Sequence, residues 1–362
     1  MKKLFVMAGG GTGGHVIPAI AVARELVKAG QEVLFVGTER GVESRLVPAE
    51  GFRLEKIRVG GIKNLGIATR LTSMWRLLAE TARQWQRFGE WKPAALFSMG
   101  GYVAGPPVLA ALMRGVPVVI MEPNAVPGVT NRWIARWVKR ALISFEETAR
   151  FFPKGRTELT GRPVREEFFA IEPRPAEREF TVLITGGSQG SRTLNEAARR
   201  SWPLFRDSGL PVRLIHQTGV PMYETLAAEF AATGLTGEIS AFINDMPAAF
   251  ADADLIVCRS GGTVSELAAA GKPSVLIPFP YAADDHQLKN AQAFERAGAA
   301  ILSLDRDWNG QRFFAVVSDL YQNRPKLALM GENARKLARP LAEGTAAARA
   351  AAILLEVAAE NH

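Results

Sequence analysis

Twice along this chain a short apolar run ends in a cluster of glycines and is followed at once by a helix-length segment. Leu4–Ala8 runs into Gly9-Gly10-Gly11-Thr12-Gly13-Gly14-His15, and Phe180–Thr185 runs into Gly186-Gly187-Ser188-Gln189-Gly190-Ser191. The segments that follow, Val16–Ala29 and about Arg192–Arg206, read as helices, and each is succeeded by another strand candidate, Glu32–Val36 and Val212–Gln217. Two such openings restrict the chain to α/β architecture, with one parallel sheet in each half.

The intervening sequence keeps the same rhythm. Ala95–Ser98, Pro117–Met121 and Ala141–Ser144 are strand candidates in the first half, and Ile239–Phe242, Leu255–Cys258 and Ser274–Ile277 in the second. Their near-continuous apolar character predicts sheets covered by helices on both faces. The proline-rich stretch 163–175 reads as the linker. The tail Thr345–Asn361 is alanine-rich and helical with no strand after it, so its packing partner is left open, the first domain included.

Composition narrows the class further. Hydrophobic residues at 48% and charged residues at 22% suit a globular chain, not a disordered one. A single cysteine, Cys258, excludes an intramolecular disulfide and a thiolate metal cluster. The N-terminal apolar run is too short for a signal-peptide core, and no uncharged apolar run of spanning length occurs, so a cytoplasmic location is expected. Residues 1–158 carry 23 Lys and Arg against 12 Glu and no Asp, whereas the remainder carries 21 against 24. A basic first half suits a phosphate-bearing substrate, an anionic membrane surface or nucleic acid, or is simply a solvated face. No nucleic-acid recognition module accompanies it.

Glycine turns between a strand and a helix let backbone N–H groups approach an anion at the positive end of the helix. Gly9-x-Gly11-x-x-Gly14 satisfies the dinucleotide fingerprint, but the acidic residue wanted at the end of the second strand is missing: that strand ends Phe35-Val36-Gly37-Thr38, with Glu39 beyond a glycine. A two-lobed NAD-dependent oxidoreductase is therefore disfavoured. A third turn, Met99-Gly100-Gly101-Tyr102-Val103-Ala104-Gly105-Pro106, also follows a strand, and all three turns are expected to face one cleft. The four histidines (15, 216, 286, 362) have no metal-ligand spacing, so no metal and no cofactor are expected.

The segment Gly66–Trp91 reads as a helix in which Ile67, Leu71, Met74, Trp75, Leu78, Trp85 and Phe88 recur at three- and four-residue spacings, flanked by Arg70, Arg76, Arg83 and Arg87. Aromatics beside arginines describe a helix lying at a membrane interface, the alternative being an ordinary helix packed on the sheet.

Several motifs occur in a fixed order: GGGTGGH at 9–15, MGGYVAGP at 99–106, EPN at 122–124, TGRPVR at 160–165, GGSQGS at 186–191, FINDM at 242–246, RSGGTVSE at 259–266 and DDHQLKNA at 284–291. As an ordered set the chain resembles the bacterial UDP-N-acetylglucosamine:lipid I N-acetylglucosaminyltransferases of glycosyltransferase family 28, over nearly its whole length. It departs from them at RSGGTVSE, one residue shorter than some versions, and at Asn244, where an acidic residue is common.

The resemblance implies a GT-B fold: two Rossmann-like doubly wound parallel-sheet domains across a deep cleft. Residues 1–160 would form the acceptor and membrane-associating domain, with a C-terminal helix (about 341–362) returning to it, and residues 161–340 the UDP-GlcNAc domain. It implies an inverting transfer of GlcNAc to the 4-hydroxyl of MurNAc in lipid I, giving lipid II. The partners would be UDP-GlcNAc, lipid I and an anionic membrane, on the cytoplasmic face of the cell membrane. Donor contacts fall on Thr12, Gly13, Gly14, Asn124, Arg165, Ser188, Ile243, Glu266 and Gln287, and acceptor contacts on Gly101 and Tyr102. Ser188 would bond a phosphate oxygen, Arg165 the leaving-group charge, Glu266 the ribose hydroxyls and the Ile243 backbone the uracil. His15 ranks first as general base, with Glu122 competing. Ile67, Leu71, Trp75 and Leu78 would form the membrane face.

Overall fold

The computed structural model describes residues 2–11, 13–39, 41–59, 67–173, 179–282, 285–338 and 344–360, without the side chains of 67–74. It divides into two units, Met1–Pro163 with Pro340–His362, and Val164–Arg339. Every strand pair described is parallel.

The first unit holds β1 (Leu4–Gly9), β2 (Glu32–Thr38), β3 (Arg53–Ile57), β4 (Ala95–Gly100), β5 (Val118–Glu122), β6 (Arg140–Ile143) and β7 (Thr157–Leu159), in the order β3-β2-β1-β4-β5-β6-β7. The two-residue period of a strand explains its central sequence. Phe5 and Met7 enter the core beneath the helices Gly13–Lys28 and Ala346–Glu360, whereas Val6 and Ala8 enter the opposite core with Val103, Val108 and Phe88. A strand buried on both faces has no polar alternation, and each fully buried Phe or Leu contributes roughly 1.5–3 kcal/mol. The alanine-rich C-terminal helix packs its Ala350, Ile353, Leu354 and Val357 side chains into the first of these cores. Small side chains let it approach closely, and Arg349 pairs with Glu158 beside it.

The second unit holds β8 (Phe180–Thr185), β9 (Val212–Gln217), β10 (Gly237–Ser240), β11 (Leu255–Cys258), β12 (Ser274–Leu276) and β13 (Ala300–Leu302), in the order β10-β9-β8-β11-β12-β13. Phe180, Val182 and Ile184 pack with Leu194, Trp202 and Phe205 of the helix Arg192–Ser208.

In both units the chain winds one way from the first strand and then crosses back, so the order reverses between β1 and β4 and between β8 and β11. Crevices at the carboxyl ends of the strands flanking such a reversal are where open α/β sheets bind ligands. The three glycine turns follow β1, β4 and β8, at these reversals.

The strands β3, β7 and β13 were not anticipated from the sequence, and β10 begins and ends two residues before the anticipated Ile239–Phe242. β3 reads Arg-Leu-Glu-Lys-Ile and β7 only Thr-Glu-Leu. All four lie at or near a sheet edge, where half-exposed strands carry charge and are short.

Candidate active site

In the first unit β1 delivers the chain into the turn Gly9-Gly10-Gly11 and the helix Gly13–Lys28. The peptide joining Gly10 to Gly11 is held at both ends. Its N–H donates to Oε2 of Glu43 at 2.8 Å, and its carbonyl lies 3.3 Å from Nδ1 of His15. A carbonyl only accepts, so this contact is a hydrogen bond in the tautomer that carries the proton on Nδ1, which makes Nε2 the basic nitrogen of the ring. Gly101, after β4, lies beside the same Nδ1 edge of the imidazole: a Cβ there would lie 3.5 Å from Cε1 and 3.6 Å from Nδ1 of His15. Tyr102 approaches Gly11 in the same way, with half of its side chain exposed.

Pro18 explains a further contact. It lacks the N–H that would bond the Gly14 carbonyl one turn back. Arg162 supplies that donor instead, at 2.7 Å. The TGRPVR motif thus reaches the first turn through Arg162, a residue the sequence reading passed over for Arg165. Gly13 and Gly14 stand in the first turn of this helix, and Thr12 lies outside the described residues.

Glu43 was missed too. It is wholly buried, and its Oε1 also accepts from the Thr38 N–H at 2.8 Å and the Thr38 hydroxyl at 2.7 Å. A Cβ at Gly10, Gly37 or Gly41 would collide with it, so three glycines form its cradle. Burial pushes its carboxyl up, but the hydrogen bonds from Thr38 and Gly11 together outweigh burial and set it below the usual carboxylate range. The only available signal was an acid in a Gly-rich stretch, Gly37-Thr38 to Gly41-Val42-Glu43, which reads equally as the acidic first turn of a helix.

At the end of β5, Glu122 is buried and organises the EPN motif. Its Oε1 accepts from the Asn124 N–H (3.0 Å) and side-chain amide (2.9 Å), and its Oε2 from the Gly128 N–H (3.1 Å) and Asn131 (2.9 Å). Burial raises its pKa, with these donors pulling the other way. With both oxygens engaged, Glu122 acts here as the anchor of Asn124.

In the second unit the turn Gly186–Gly190 leaves Ser188 and Gln189 exposed. Gln217 braces it from beneath, donating to the Gly187 carbonyl (2.9 Å) and the Thr185 hydroxyl (3.2 Å). The Oε1 of the same side chain accepts the Ile243 N–H at 2.8 Å, so one residue ties two of the expected donor contacts together. The Ile243 carbonyl is then the group left to read a base, since its N–H already has an acceptor. Ser191 caps the helix Arg192–Ser208 and accepts from Arg259 at 2.7 Å, and Arg259 pairs with Asp305, which also takes the Thr193 hydroxyl. This network spans the reversal between β8 and β11. Gln287 joins its rim, accepting from the Phe279 N–H at 3.0 Å, while its carbonyl takes the Ser260 hydroxyl. The short turn Ser260–Gly262 leads directly into the helix Thr263–Ala270, which carries Glu266 half-buried in its first turn. Arg165 is exposed, its guanidinium 5.1 Å from the Phe168 ring, outside this network of described residues. Below it, His216 is buried and bonds Asn195 at 2.9 Å; burial pushes its pKa down to about 3, so it stays neutral.

The N-terminal domain of glycosyltransferase family 28 matches residues 5–143, and the C-terminal domain of the same family matches residues 181–345. The chain belongs to glycosyltransferase family 28. Within family 28 it is 60% identical over 355 residues to the UDP-N-acetylglucosamine--N-acetylmuramyl-(pentapeptide) pyrophosphoryl-undecaprenol N-acetylglucosamine transferase of Solibacter usitatus, covering 98% of this chain and 96% of that protein. The protein of the same name from Geobacter sp. (strain M21) is 41% identical over 92% of each chain. The crystal structure of Acinetobacter baumannii MurG superimposes with a TM-score of 0.81 at 33% identity, covering 98% of this chain and 99% of that one. Family 28 membership makes the chain a hexosyltransferase, and the two parallel α/β units are those of the GT-B class anticipated from the motifs.

The helix Ile67–Trp91 is more two-sided than its sequence suggests. Trp75 and Leu78 are exposed, at 72% and 52%, and the side chains of Ile67 and Leu71 lie outside the described residues. Phe88, counted with the outward stripe, is instead buried at 2% in the core with Val103 and Val108, beside wholly buried Gln84. The 3.6-residue period separates Phe88 from Trp75 and Leu78 around the helix. Trp85 stays partly exposed, with the Arg114 guanidinium stacked 3.7 Å from the centre of its ring. Among the described residues no helix is long and apolar enough to cross a membrane.

Proposed function

We propose that this chain transfers N-acetylglucosamine from UDP-GlcNAc to the 4-hydroxyl of MurNAc in undecaprenyl-pyrophosphoryl-MurNAc-pentapeptide, with inversion, forming lipid II for peptidoglycan synthesis. The observation that carries this reading is the 60% identity across 98% of the chain to a protein of that name.

The chemistry follows from the residues. The UDP diphosphate lies over the Gly186–Gly190 turn, where Ser188 and the amino end of the helix Arg192–Ser208 face the anion. Charge develops on UDP as the sugar bond breaks, and fixed amide donors with Arg165 stabilise it. Glu266 accepts the ribose hydroxyls, the Ile243 backbone reads uracil, and Gln287 and Asn124 hold the GlcNAc hydroxyls. Thr12, Gly13 and Gly14 follow the first turn toward the sugar or the acceptor diphosphate, and Gly101 and Tyr102 receive the acceptor. His15 takes the acceptor hydroxyl proton on Nε2, the orientation its Nδ1 hydrogen bond supports. The oxygen so activated attacks the anomeric carbon opposite UDP, which leaves with the bonding electron pair.

The test is turnover of UDP-GlcNAc with a lipid I analogue, with and without EDTA. The expected result is equimolar UDP and disaccharide product in both. His15→Ala is expected to lower kcat by roughly 10²–10⁴-fold with UDP affinity unchanged; equal loss of both would move the base elsewhere. Transfer to a different lipid or small acceptor, with lipid I inert, would favour another GT-B transferase.

The exposed Trp75 and Leu78, on a segment where residues 56–92 carry eight basic and two acidic residues, support peripheral docking on the cytoplasmic face of the membrane. Each basic group near an anionic leaflet contributes about 1 kcal/mol. Trp75→Ser/Leu78→Ser is expected to release the protein from anionic vesicles in a sedimentation assay; undiminished binding would place the docking face elsewhere.

A further inference from the structure

We propose that Glu43 is a positioning residue for His15, acting through the Gly10–Gly11 peptide: the carboxylate fixes the peptide, and the peptide fixes and strengthens the base. The inference rests on the reading of His15 as general base and adds to it a carboxylate that no motif contains.

The geometry is a chain of three groups. Glu43 Oε2 accepts the Gly11 N–H, and the carbonyl of the same peptide faces His15 Nδ1. An anion at the N–H end polarises the peptide and makes its oxygen a better acceptor, because hydrogen bonds in series reinforce one another in a low dielectric. A better acceptor holds the Nδ1–H tautomer and favours the imidazolium formed when Nε2 takes a proton. In hydrolase triads a carboxylate performs this service by direct contact, without becoming protonated itself. Here the contact is relayed through one peptide. The proton of the acceptor hydroxyl ends on Nε2, the new bond forms between its oxygen and the anomeric carbon, UDP leaves with the electron pair, and Glu43 keeps its charge throughout.

The surroundings favour this role over simple filling of space. The carboxylate is wholly buried yet engages two backbone N–H groups and one hydroxyl, and three glycines leave it room. Its lowered pKa keeps it ionised through the neutral range. Other titratable groups near His15 sit on different elements. Arg162 bonds the adjacent Gly14 carbonyl, the Tyr102 phenol flanks Gly11, and Glu122 lies one layer away behind Asn131, which abuts Gly100. Arg162 alone would depress the basicity of His15, and Glu43 opposes it.

The test compares wild type, Glu43→Gln and His15→Ala by the pH dependence of kcat, with UDP affinity measured in parallel. A glutamine side chain cannot reproduce the carboxylate, because an amide NH₂ placed at either oxygen position faces a donor. The expected result for Glu43→Gln is a kcat lowered about 10- to 100-fold, unchanged UDP affinity, and an acidic limb moved about half a unit to one unit lower in pH. The direction follows because loss of the anion makes His15 easier to deprotonate. A kcat loss with the limb unmoved indicates a merely structural role and overturns the proposal, as does an unchanged kcat. A limb that survives in His15→Ala overturns the base assignment and the proposal with it. Should Glu43→Gln fail to fold, ¹⁵N shifts of the His15 ring in the wild-type protein decide: neutral imidazole protonated at Nδ1 supports the relay, and protonation at Nε2 sinks it.

Discussion

The glycine turns after β1 and β8 look alike in sequence and differ in what lies beneath them. Under the first sits a buried carboxylate of the chain itself, Glu43, bonded to the Gly11 amide. Under the second sits a neutral brace: Gln217 on the Gly187 carbonyl, and Arg259 paired with Asp305 behind Ser191. In the first turn an internal anion holds a glycine amide, whereas in the second the amides of Gly187 and Gly190 donate to uncharged acceptors, the Thr185 hydroxyl and the Gly187 carbonyl. Like unit charges about 6 Å apart repel by roughly 3 kcal/mol at an effective dielectric near 20. A diphosphate seated directly on the Gly11 amide would meet that opposition, which bears less on one at Gly13 and Gly14 further along the chain, and a diphosphate over Gly187 would meet none from Glu43. The comparison supports the proposed placement of the nucleotide in the second unit and of the base His15 beside the first turn. It also weighs against a dinucleotide at Gly9–Gly14 more directly than the missing strand-end acid does.

The difference extends to how each turn tolerates change. Gly190 has φ 73°, and a Cβ there would collide with the Thr218 backbone carbonyl. Gly190→Ala is expected to cost at least about 3 kcal/mol in urea unfolding, with no single side-chain replacement restoring it. A smaller effect belongs to Gly10, where the three atoms nearest to an added Cβ all belong to the Glu43 side chain and none to the backbone. Gly10→Ala is expected to cost about 2 kcal/mol in wild type and under about 1 kcal/mol when added to Glu43→Ala. Equal costs in the two backgrounds would show that Glu43 does not fill the first turn.

Much of this was legible in the sequence because buried parallel strands and glycine turns are dictated by local chemistry. Leu4–Ala8 and Phe180–Thr185 cannot be solvated, and the glycines after them mark where the chain must turn. The ordered motifs then supplied the family and the fold class. What escaped was set by contacts distant in sequence. Glu43 meets Gly11 across 32 positions, and Gln217 meets Ile243 across 26, so neither pairing has a local signature. Phe88 shows the same limit on one helix. Its three- and four-residue steps follow the stripe locally, but over thirteen residues the 3.6-residue period turns it away from Trp75 and onto the core with Val103 and Val108. The alanine-rich tail named no partner by its own periodicity; its return to the first domain was expected from the family resemblance alone, and the side chains that make the contact, Ala350, Ile353 and Leu354, are seen in the first core.

The asymmetry between the turns is tested most directly by titrating the whole protein with UDP while following backbone amide resonances. The account predicts that the amides of residues 186–190 and of Ile243 shift in proportion to occupancy, while Gly11, held by Glu43, stays where it is. Large shifts confined to Gly9–Gly11, with the later turn unmoved, would contradict it.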